Sequence, residues 1–364
     1  MRFLLAAAGT AGHVEPALAV ADELASRGHQ VWLLGTATGA ERELVPARGF
    51  ELLLIDKVTF PRRLSKAALR FPFDLVRTVA AARRHLRDYQ IDAVMGFGGY
   101  AAGAAYAAAA SLRTPFAVFS YDAKPGIANR WAGRWAAARA VASPTAYPGF
   151  ADAVVTGIPL RPAIRDFDRE RMAERGFAHF NLEPGRATLL VFGGSQGAAR
   201  INTAVVDCAE QIRQAGWQVL HVTGSRDSAA RARSQALSEP GYWSQHDYIE
   251  EMHEAYAVAD LVVSRAGAMT CAELSATAVP GVLVPYAVGN GEQTLNAQDL
   301  VASGGWVQLS DAAADTTGLG NCLRELMSSD TLAAMNRAAR ARSAQVGGHD
   351  AAARLADVVE RAGS

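Results

Sequence analysis

Residues 4–35 read LLAAAGTAGHVEPALAVADELASRGHQVWLLG: an apolar strand, a turn containing Gly9 and Gly12, an amphipathic helix and a second strand. Residues 189–224, LLVFGGSQGAARINTAVVDCAEQIRQAGWQVLHVTG, repeat that layout. A second pair recurs as well, DAVMGFGGYAAGAAYAAAASLRTPFAVFSY at 92–121 and DLVVSRAGAMTCAELSATAVPGVLVPY at 260–286. Each member of that pair has Asp before a strand, then a glycine turn, an alanine-rich helix and a proline leading into another strand. Strands that alternate with helices pair in parallel, so the chain reads as an α/β protein of two doubly wound parallel-sheet domains in tandem. The charged stretch at 161–188, RPAIRDFDRERMAERGFAHFNLEPGRAT, is the expected junction, part of it helical. Ligand is expected between the domains, at the carboxyl ends of the strands.

Bulk properties fit that frame. A chain of 364 residues can bury two cores of ordinary size. Lys and Arg number 36 against 36 Asp and Glu, which argues against a dedicated nucleic-acid partner, because phosphate binding shows as a basic excess. Cys208, Cys271 and Cys322 are far apart and lack CxxC or metal spacing, so they read as ordinary thiols in a reducing compartment. The opening Arg2 and FLLAAAGTAG form too short an apolar run for a leader, and His13, Glu15, Asp22 and Glu23 follow at once on the helix. No run reaches the roughly 18 apolar residues of a spanning helix, and AAGAAYAAAASL at 101–112 is also too short. A soluble or peripheral protein is expected.

The glycine turns do not fit a nicotinamide site. That fingerprint needs GxGxxG and an acid at the end of the second strand; here the spacings differ and the second strands end at Gly35 and Gly224 without a carboxylate. No turn is followed by Lys-Ser or Lys-Thr, which excludes a Walker A loop. Such turns can still bind a diphosphate through main-chain N–H groups at a helix N-terminus. Gly193, Gly194, Ser195 and Gly197 suit that task, or they form a plain tight turn. Arg265, Gly267, Ala268, Met269 and Thr270 form a second small-residue turn in the same half, and Glu273, one helical turn on, either takes a ribose diol or is a solvated helix residue. His221, on a strand pattern, reads as structural.

GTAGHVEPALAVADEL, GFGGYAAG, PGIANR, VFGGSQGAARIN, YIEEMHEAYAVADLVVSRAGAMTCAELSA and GNGEQTLNA occur in that order along nearly the whole chain. Together they resemble the MurG family, bacterial transferases that move N-acetylglucosamine from its UDP donor onto undecaprenyl-diphosphate-linked N-acetylmuramoyl-pentapeptide. The resemblance implies a GT-B fold of two Rossmann-like domains facing a cleft. It places an acceptor domain at 1–160, a UDP-sugar domain at 161–345, and a last helix, within 346–364, that returns to the first domain. On the donor side it implies that Ser195 and Gln196 contact the diphosphate, that Ile249 packs near uracil, and that Glu273 binds ribose. Ala268, Met269 and Thr270 would receive phosphate, Glu292 and Gln293 would contact the sugar, and Arg161 would face the donor. On the acceptor side it points to Thr10, Gly12, Gly98, Gly99, Asp122 and Asn129.

Inverting transfer needs a base for the attacking hydroxyl and an electrophilic site for departing UDP. His13, placed in the loop with a pKa suited to neutral operation, is the expected base; a donor to the acceptor diphosphate is its other role, and Asp122 is a second base candidate. Helix-terminal N–H groups can hold the diphosphate, so no metal or other cofactor is expected, and Asp166 and Asp168 are read as a chance Asp-x-Asp. The chain departs from the family at Ala8 and Ala11, where glycines are usual, at Phe119, Ser120, Tyr121 and Asp122, and at Ile158. A transferase with another acceptor and a non-catalytic nucleotide-sugar binder therefore stay open. Between Lys57 and Arg87 nine basic residues face one acid, Asp74, with Phe60, Leu64, Leu69, Phe71, Phe73 and Leu75 interleaved. That stretch suits an anionic bilayer, and with the resemblance it implies a peripheral place at the cytoplasmic face of the membrane; a solvated basic helix face is the alternative.

Overall fold

A computed structural model of the chain describes residues 1–9, 11–58, 66–144, 147–194, 196–287, 291–345 and 350–364, without the side chains of 11 and 66–69. It divides into two compact units, Met1–Arg161 with Gly348–Ser364, and Pro162–Gly347.

The first unit runs β1 (Arg2–Ala6), α1 (Ala11–Ser26), β2 (Gln30–Gly35), α2 (Glu41–Ala47), β3 (Glu51–Leu54), α3 (Lys66–Asp88), β4 (Ala93–Gly96), α4 (Gly99–Leu112), β5 (Phe116–Ser120), α5 (Ile127–Ala132), β6 (Ala138–Val141) and β7 (Val154–Val155). The second holds α6 (Pro162–Arg165), α7 (Arg169–His179), β8 (Thr188–Phe192), α8 (Ala199–Asp207), α9 (Ala209–Gln214), β9 (Gln218–Val222), α10 (Ser228–Ala236), β10 (Trp243–His246), α11 (Met252–Val258), β11 (Leu261–Ser264), α12 (Ala268–Thr277), β12 (Gly281–Leu283), α13 (Glu292–Ala302), β13 (Trp306–Gln308), α14 (Thr316–Leu326) and α15 (Ser329–Gln345). The chain then reaches α16 (Ala351–Gly363), in the first unit.

The sheet orders are β3-β2-β1-β4-β5-β6-β7 and β10-β9-β8-β11-β12-β13, and every ladder is parallel. The repeat seen in the sequence is thus a repeat of topology, with β1 matching β8 and β4 matching β11. Parallel strands are covered on both faces and therefore read as unbroken apolar runs. Phe3, Leu4, Leu5 and Ala6 are all fully buried, with Leu4 and Ala6 in the cluster formed by α3 and α4. In each sheet the chain reverses its direction of travel beside the central strand, between β1 and β4 and between β8 and β11. Open α/β sheets of this order bind ligands at the carboxyl ends of the strands flanking that reversal. Gly9, Gly98 and Gly99 lie at that point of the first unit, and Gly193, Gly194, Gly197 and Gly267 at that of the second.

His221 on β9 has the structural role expected of it. Its ring nitrogens lie 2.9 Å from Ser234 Oγ and 3.2 Å from Asn202 Oδ1. Burial pushes its pKa down to about 3, so the ring is neutral and ties α8 and α10 to the sheet. Helix α16 packs against α1 and the first sheet, burying Ala351, Leu355, Ala356, Val358 and Val359. Arg27 of α1 reaches Asp357 at 2.7 Å and Glu360 at 2.8 Å, but these pairs are partly solvated and add little. Burying Leu355, Val358 and Val359 contributes roughly 5–9 kcal/mol, comparable with the whole stability of a domain. Removing residues 348–364 is therefore expected to abolish the melting transition of the first unit while that of the second persists. Two retained transitions in calorimetry would contradict this.

Candidate functional site

At the carboxyl edge of the first sheet the chain leaves β1 through Ala8 and Gly9. Gly9 has φ +116°, which an L side chain rarely adopts, and it is the residue that turns the chain. Ala8 is not among the four described non-glycine residues with positive φ, so alanine replaces glycine there without strain. Gly12 and His13 lie within α1 and not in the loop where the sequence placed His13. Glycines at 9 and 12 and Pro16 suggest a longer turn, yet the helix starts at Ala11 and continues through Pro16. Having no N–H, Pro16 cannot bond the Gly12 carbonyl one turn back. Thr10 lies outside the described residues.

The His13 ring stands edge-on to Tyr121, centroids 5.2 Å apart. Burial pushes its pKa below the ordinary histidine value, and the charge of Glu41 opposes that fall. Burial, then the charge of Asp122, pushes the Tyr121 phenol well up, so it stays protonated. Gly98 and Gly99, with φ +92° and +74°, turn the chain from β4 into α4. A Cβ on Gly98 would lie 3.7 Å from Asn129 Nδ2 and 3.8 Å from the Tyr121 hydroxyl, so the three residues converge. Asn129 donates to the Phe119 carbonyl at 2.8 Å and accepts from Tyr106 at 3.1 Å, which ties α5 to β5 and commits both ends of the amide. Arg130 donates to the Tyr147 hydroxyl at 3.1 Å.

Two residues escaped the sequence reading. Tyr121 counted only as a departure from the family pattern. Glu41 lies six positions beyond Gly35, the strand end at which a nicotinamide site would carry its carboxylate. It is fully buried and its side chain folds back to the end of β2, accepting from Thr36 N–H at 2.9 Å, Thr36 Oγ at 2.7 Å and Gly9 N–H at 2.9 Å.

In the second unit, Gly194 and Gly197 take φ +89° and +83°, and Gly197 N–H donates to Gly194 O at 2.9 Å. A Cβ on Gly197 would meet Thr223 O at 2.2 Å, and one on Gly224 would meet Gly197 N at 2.1 Å. The turn therefore lies backbone against backbone on the end of β9. Ser195 is outside the described residues, and Gln196 is exposed. Helix α12 begins after Gly267 with no side-chain cap, so its first-turn N–H groups at Ala268, Met269 and Thr270 are presented at a positive helix end. Glu273 is buried on the same helix, and Tyr256 donates to its Oε2 at 2.8 Å. It is not a solvated helix residue.

Ile249 is buried in the turn between β10 and α11. Gln293, in the first turn of α13, accepts from Tyr286 N–H at 2.9 Å, which leaves its amide NH2 to donate elsewhere; Glu292 beside it is half-buried. Arg265 binds Val284 O at 3.2 Å and Asp311 at 2.5 Å and lies over the Tyr286 ring, so it braces the loops. Arg161 ends the first unit, where its charge opposes the burial-driven rise in the pKa of Glu15. Asp166 pairs with Arg165 at 2.7 Å and Asp168 caps α7 by accepting from Arg171 N–H at 3.1 Å. Among the described residues no group of three or more His, Cys, Asp or Glu is placed to hold a metal.

Helix α3 exposes Phe73, Leu75 and Val76 together with Arg70, Arg77, Arg84 and Arg87. Phe60 and Leu64 lie outside the described residues, as does the Leu69 side chain. No helix among the described residues is long and apolar enough to cross a membrane.

Residues 3–141 match the Glycosyltransferase family 28 N-terminal domain and residues 188–355 the Glycosyltransferase family 28 C-terminal domain. A protein of Clavibacter michiganensis subsp. michiganensis, named UDP-N-acetylglucosamine--N-acetylmuramyl-(pentapeptide) pyrophosphoryl-undecaprenol N-acetylglucosamine transferase, is 46% identical over 99% of this chain and 96% of its own length. One of the same name from Thermobifida fusca is 41% identical over 98% of this chain and 93% of its own. Among solved structures, MurG of Acinetobacter baumannii is similar with a TM-score of 0.75 and 28% identity, covering 99% of each chain. At 20% identity the calicheamicin glycosyltransferase CalG4 shares the fold, with a TM-score of 0.72 over 99% of this chain and 97% of that one.

The packing of the donor-side turn separates two glycines of like φ. Gly194→Ala has open space around its Cβ and should cost only the backbone strain, roughly 1–2 kcal/mol. Gly197→Ala must also push the turn off Thr223 and should lower the melting temperature of the second unit considerably more. Equal losses would contradict the backbone contact.

Proposed function

The chain belongs to glycosyltransferase family 28, among the MurG transferases, and from that premise we propose that it moves N-acetylglucosamine from UDP-N-acetylglucosamine to undecaprenyl-diphosphate-linked N-acetylmuramoyl-pentapeptide, with inversion, in peptidoglycan synthesis. The observation that carries this is the 46% identity, over 99% of the chain, to a relative bearing that transferase's name.

In this reading the second unit binds the donor. Main-chain N–H groups of the Gly193–Gly197 turn, with Ser195 and Gln196, and of Ala268, Met269 and Thr270 hold the diphosphate. Glu273, fixed by Tyr256, accepts from ribose hydroxyls, Ile249 packs beside uracil, and Glu292 and Gln293 bind the sugar hydroxyls. Arg161 adds positive charge toward the donor. The first unit serves the acceptor through Thr10, Gly12, Gly98, Gly99 and Asp122, with Asn129 holding α5 beneath them. Neutral His13 takes the proton of the attacking sugar hydroxyl as its oxygen bonds to C1 of N-acetylglucosamine. The bond from C1 to the UDP oxygen breaks, and UDP leaves with its charge held by the helix-end N–H groups. No metal is assigned to any step. The exposed apolar and arginine side chains of α3 support peripheral binding to the anionic cytoplasmic face of the membrane.

Incubation with UDP-N-acetylglucosamine and a short-chain lipid-linked acceptor should yield the disaccharide product by mass spectrometry. Release of UDP without disaccharide would point to another acceptor or to hydrolysis. His13→Ala should lower kcat by about 100-fold or more and leave UDP affinity within about twofold; equal losses would move His13 to donor binding or folding. Because the base must be unprotonated and burial lowers its pKa, kcat/KM should hold as pH falls to about 6.5 and decline only below it. A decline above the ordinary histidine value would contradict the assignment. Phe73→Glu combined with Arg77→Glu should weaken sedimentation with phosphatidylglycerol vesicles several-fold, and unchanged binding would remove α3 from the membrane contact.

A further inference from the structure

Charged side chains are almost never fully buried unless paired, yet Glu41 has no exposure and its donors are two main-chain N–H groups and a hydroxyl. An apolar residue there would avoid the desolvation of a carboxylate. The chain also makes room for it. Gly35 and Gly39 both have ordinary φ, but a Cβ on Gly35 would lie 2.6 Å from Glu41 Cγ, and one on Gly39 would lie 2.0 Å from Oε2. These glycines are needed for space around one acid and not for backbone conformation.

The acid acts on the turn that leads to the base. Its oxygen fixes the N–H of Gly9 at 2.9 Å, and the adjacent Ala40 N–H donates to the Gly9 carbonyl, also at 2.9 Å. Both polar groups of Gly9 are thereby held by the start of α2. Helix α1 begins two residues later, with His13 in its first turn. We propose that Glu41 is a positioning residue of the transfer reaction, holding the β1–α1 turn so that the His13 imidazole meets the acceptor hydroxyl. This rests on the reading of His13 as the base. A third group that orients the base and favours its charged form is the arrangement that makes acid–base pairs effective.

Charge follows geometry. Glu41 favours protonated His13, opposing burial, and so favours the imidazolium that forms as the hydroxyl is deprotonated. Titratable groups that face the pair among the described residues include Tyr121, edge-on to His13, with Asp122 beside it, and Tyr100 of α4, whose hydroxyl lies 3.1 Å from Thr36 Oγ. Both phenols are raised above their ordinary values and stay neutral, and Glu41 is a charge that acts on the His13 ring.

Glu41→Gln and Glu41→Asp in the full chain test this. Glu41→Gln keeps the shape and removes the charge. It should lower kcat at least tenfold, keep UDP affinity and the KM for UDP-N-acetylglucosamine within twofold, and move the acid limb of kcat/KM to lower pH. Glu41→Asp should return that limb to its wild-type position even if kcat stays low. Wild-type kcat with an unmoved limb in Glu41→Gln would overturn the proposal. So would a loss of kcat matched by losses of UDP affinity and melting temperature, which would mark a purely structural acid. A wild-type chain that makes no disaccharide would instead refute the proposed reaction. The His13 imidazole titration, followed by NMR in wild type and Glu41→Gln and assigned with His13→Ala, then decides on Glu41 by itself: a fall in the variant sustains the coupling and an unmoved titration ends it.

Discussion

A carboxylate shut away from water must be met by hydrogen-bond donors, and the edge of the first sheet is arranged around that demand. Glu41 takes the N–H of Thr36 at the end of β2 and the N–H of Gly9 at the end of β1. Two adjacent strands are thus joined at their carboxyl ends through one side chain, and the turn into α1 is set before any ligand arrives. The acid also consumes a main-chain donor of the kind that binds phosphate in doubly wound domains. That N–H is already taken at Gly9, so a nucleotide diphosphate cannot use it there.

The second unit solves the same topological problem without an acid. Its turn after β8 rests on Gly224, the end of β9, with Gly197 N only 2.1 Å from where a Gly224 Cβ would stand. Backbone takes the place that a carboxylate fills in the first unit. Behind it, neutral His221 and Asn202 hold α8 against the sheet, and Asn202 donates to the Thr223 carbonyl at 2.8 Å. Duplicated architecture has diverged in how one turn is held: by a buried carboxylate in the first copy, by backbone packing in the second.

Much of this was legible in the sequence. Unbroken apolar runs such as RFLLA and LVVS, separated by alanine-rich helices, specify buried parallel strands, and the matching order of glycine turns specifies that the topology occurs twice. The helix start after Gly267 and an acid one turn into it were legible because small residues and helical spacing are local signals, whereas the burial of Glu273 was not. Glu41 was not, because its partners Thr36 and Gly9 are brought to it by strand pairing, and the GTATGAE stretch reads as a turn with a solvated acid. His13 was assigned to a loop because glycine and proline signal turns locally, whereas packing of α1 carries the helix through Pro16. Arg265 fits a phosphate ligand by its place in the motif, but Asp311, 46 residues away, decides its use. Spacing conveys local geometry; the partners of charged groups come from tertiary contacts.

The central claim is that the two turns are not interchangeable and that only the second unit receives the nucleotide. Photolabelling with 5-azido-UDP, followed by peptide mass spectrometry, tests it most directly, because the label sits on the uracil ring. The account predicts cross-linked peptides spanning the turn that carries Ile249, between β10 and α11. A principal adduct within Met1–Arg161 would contradict it.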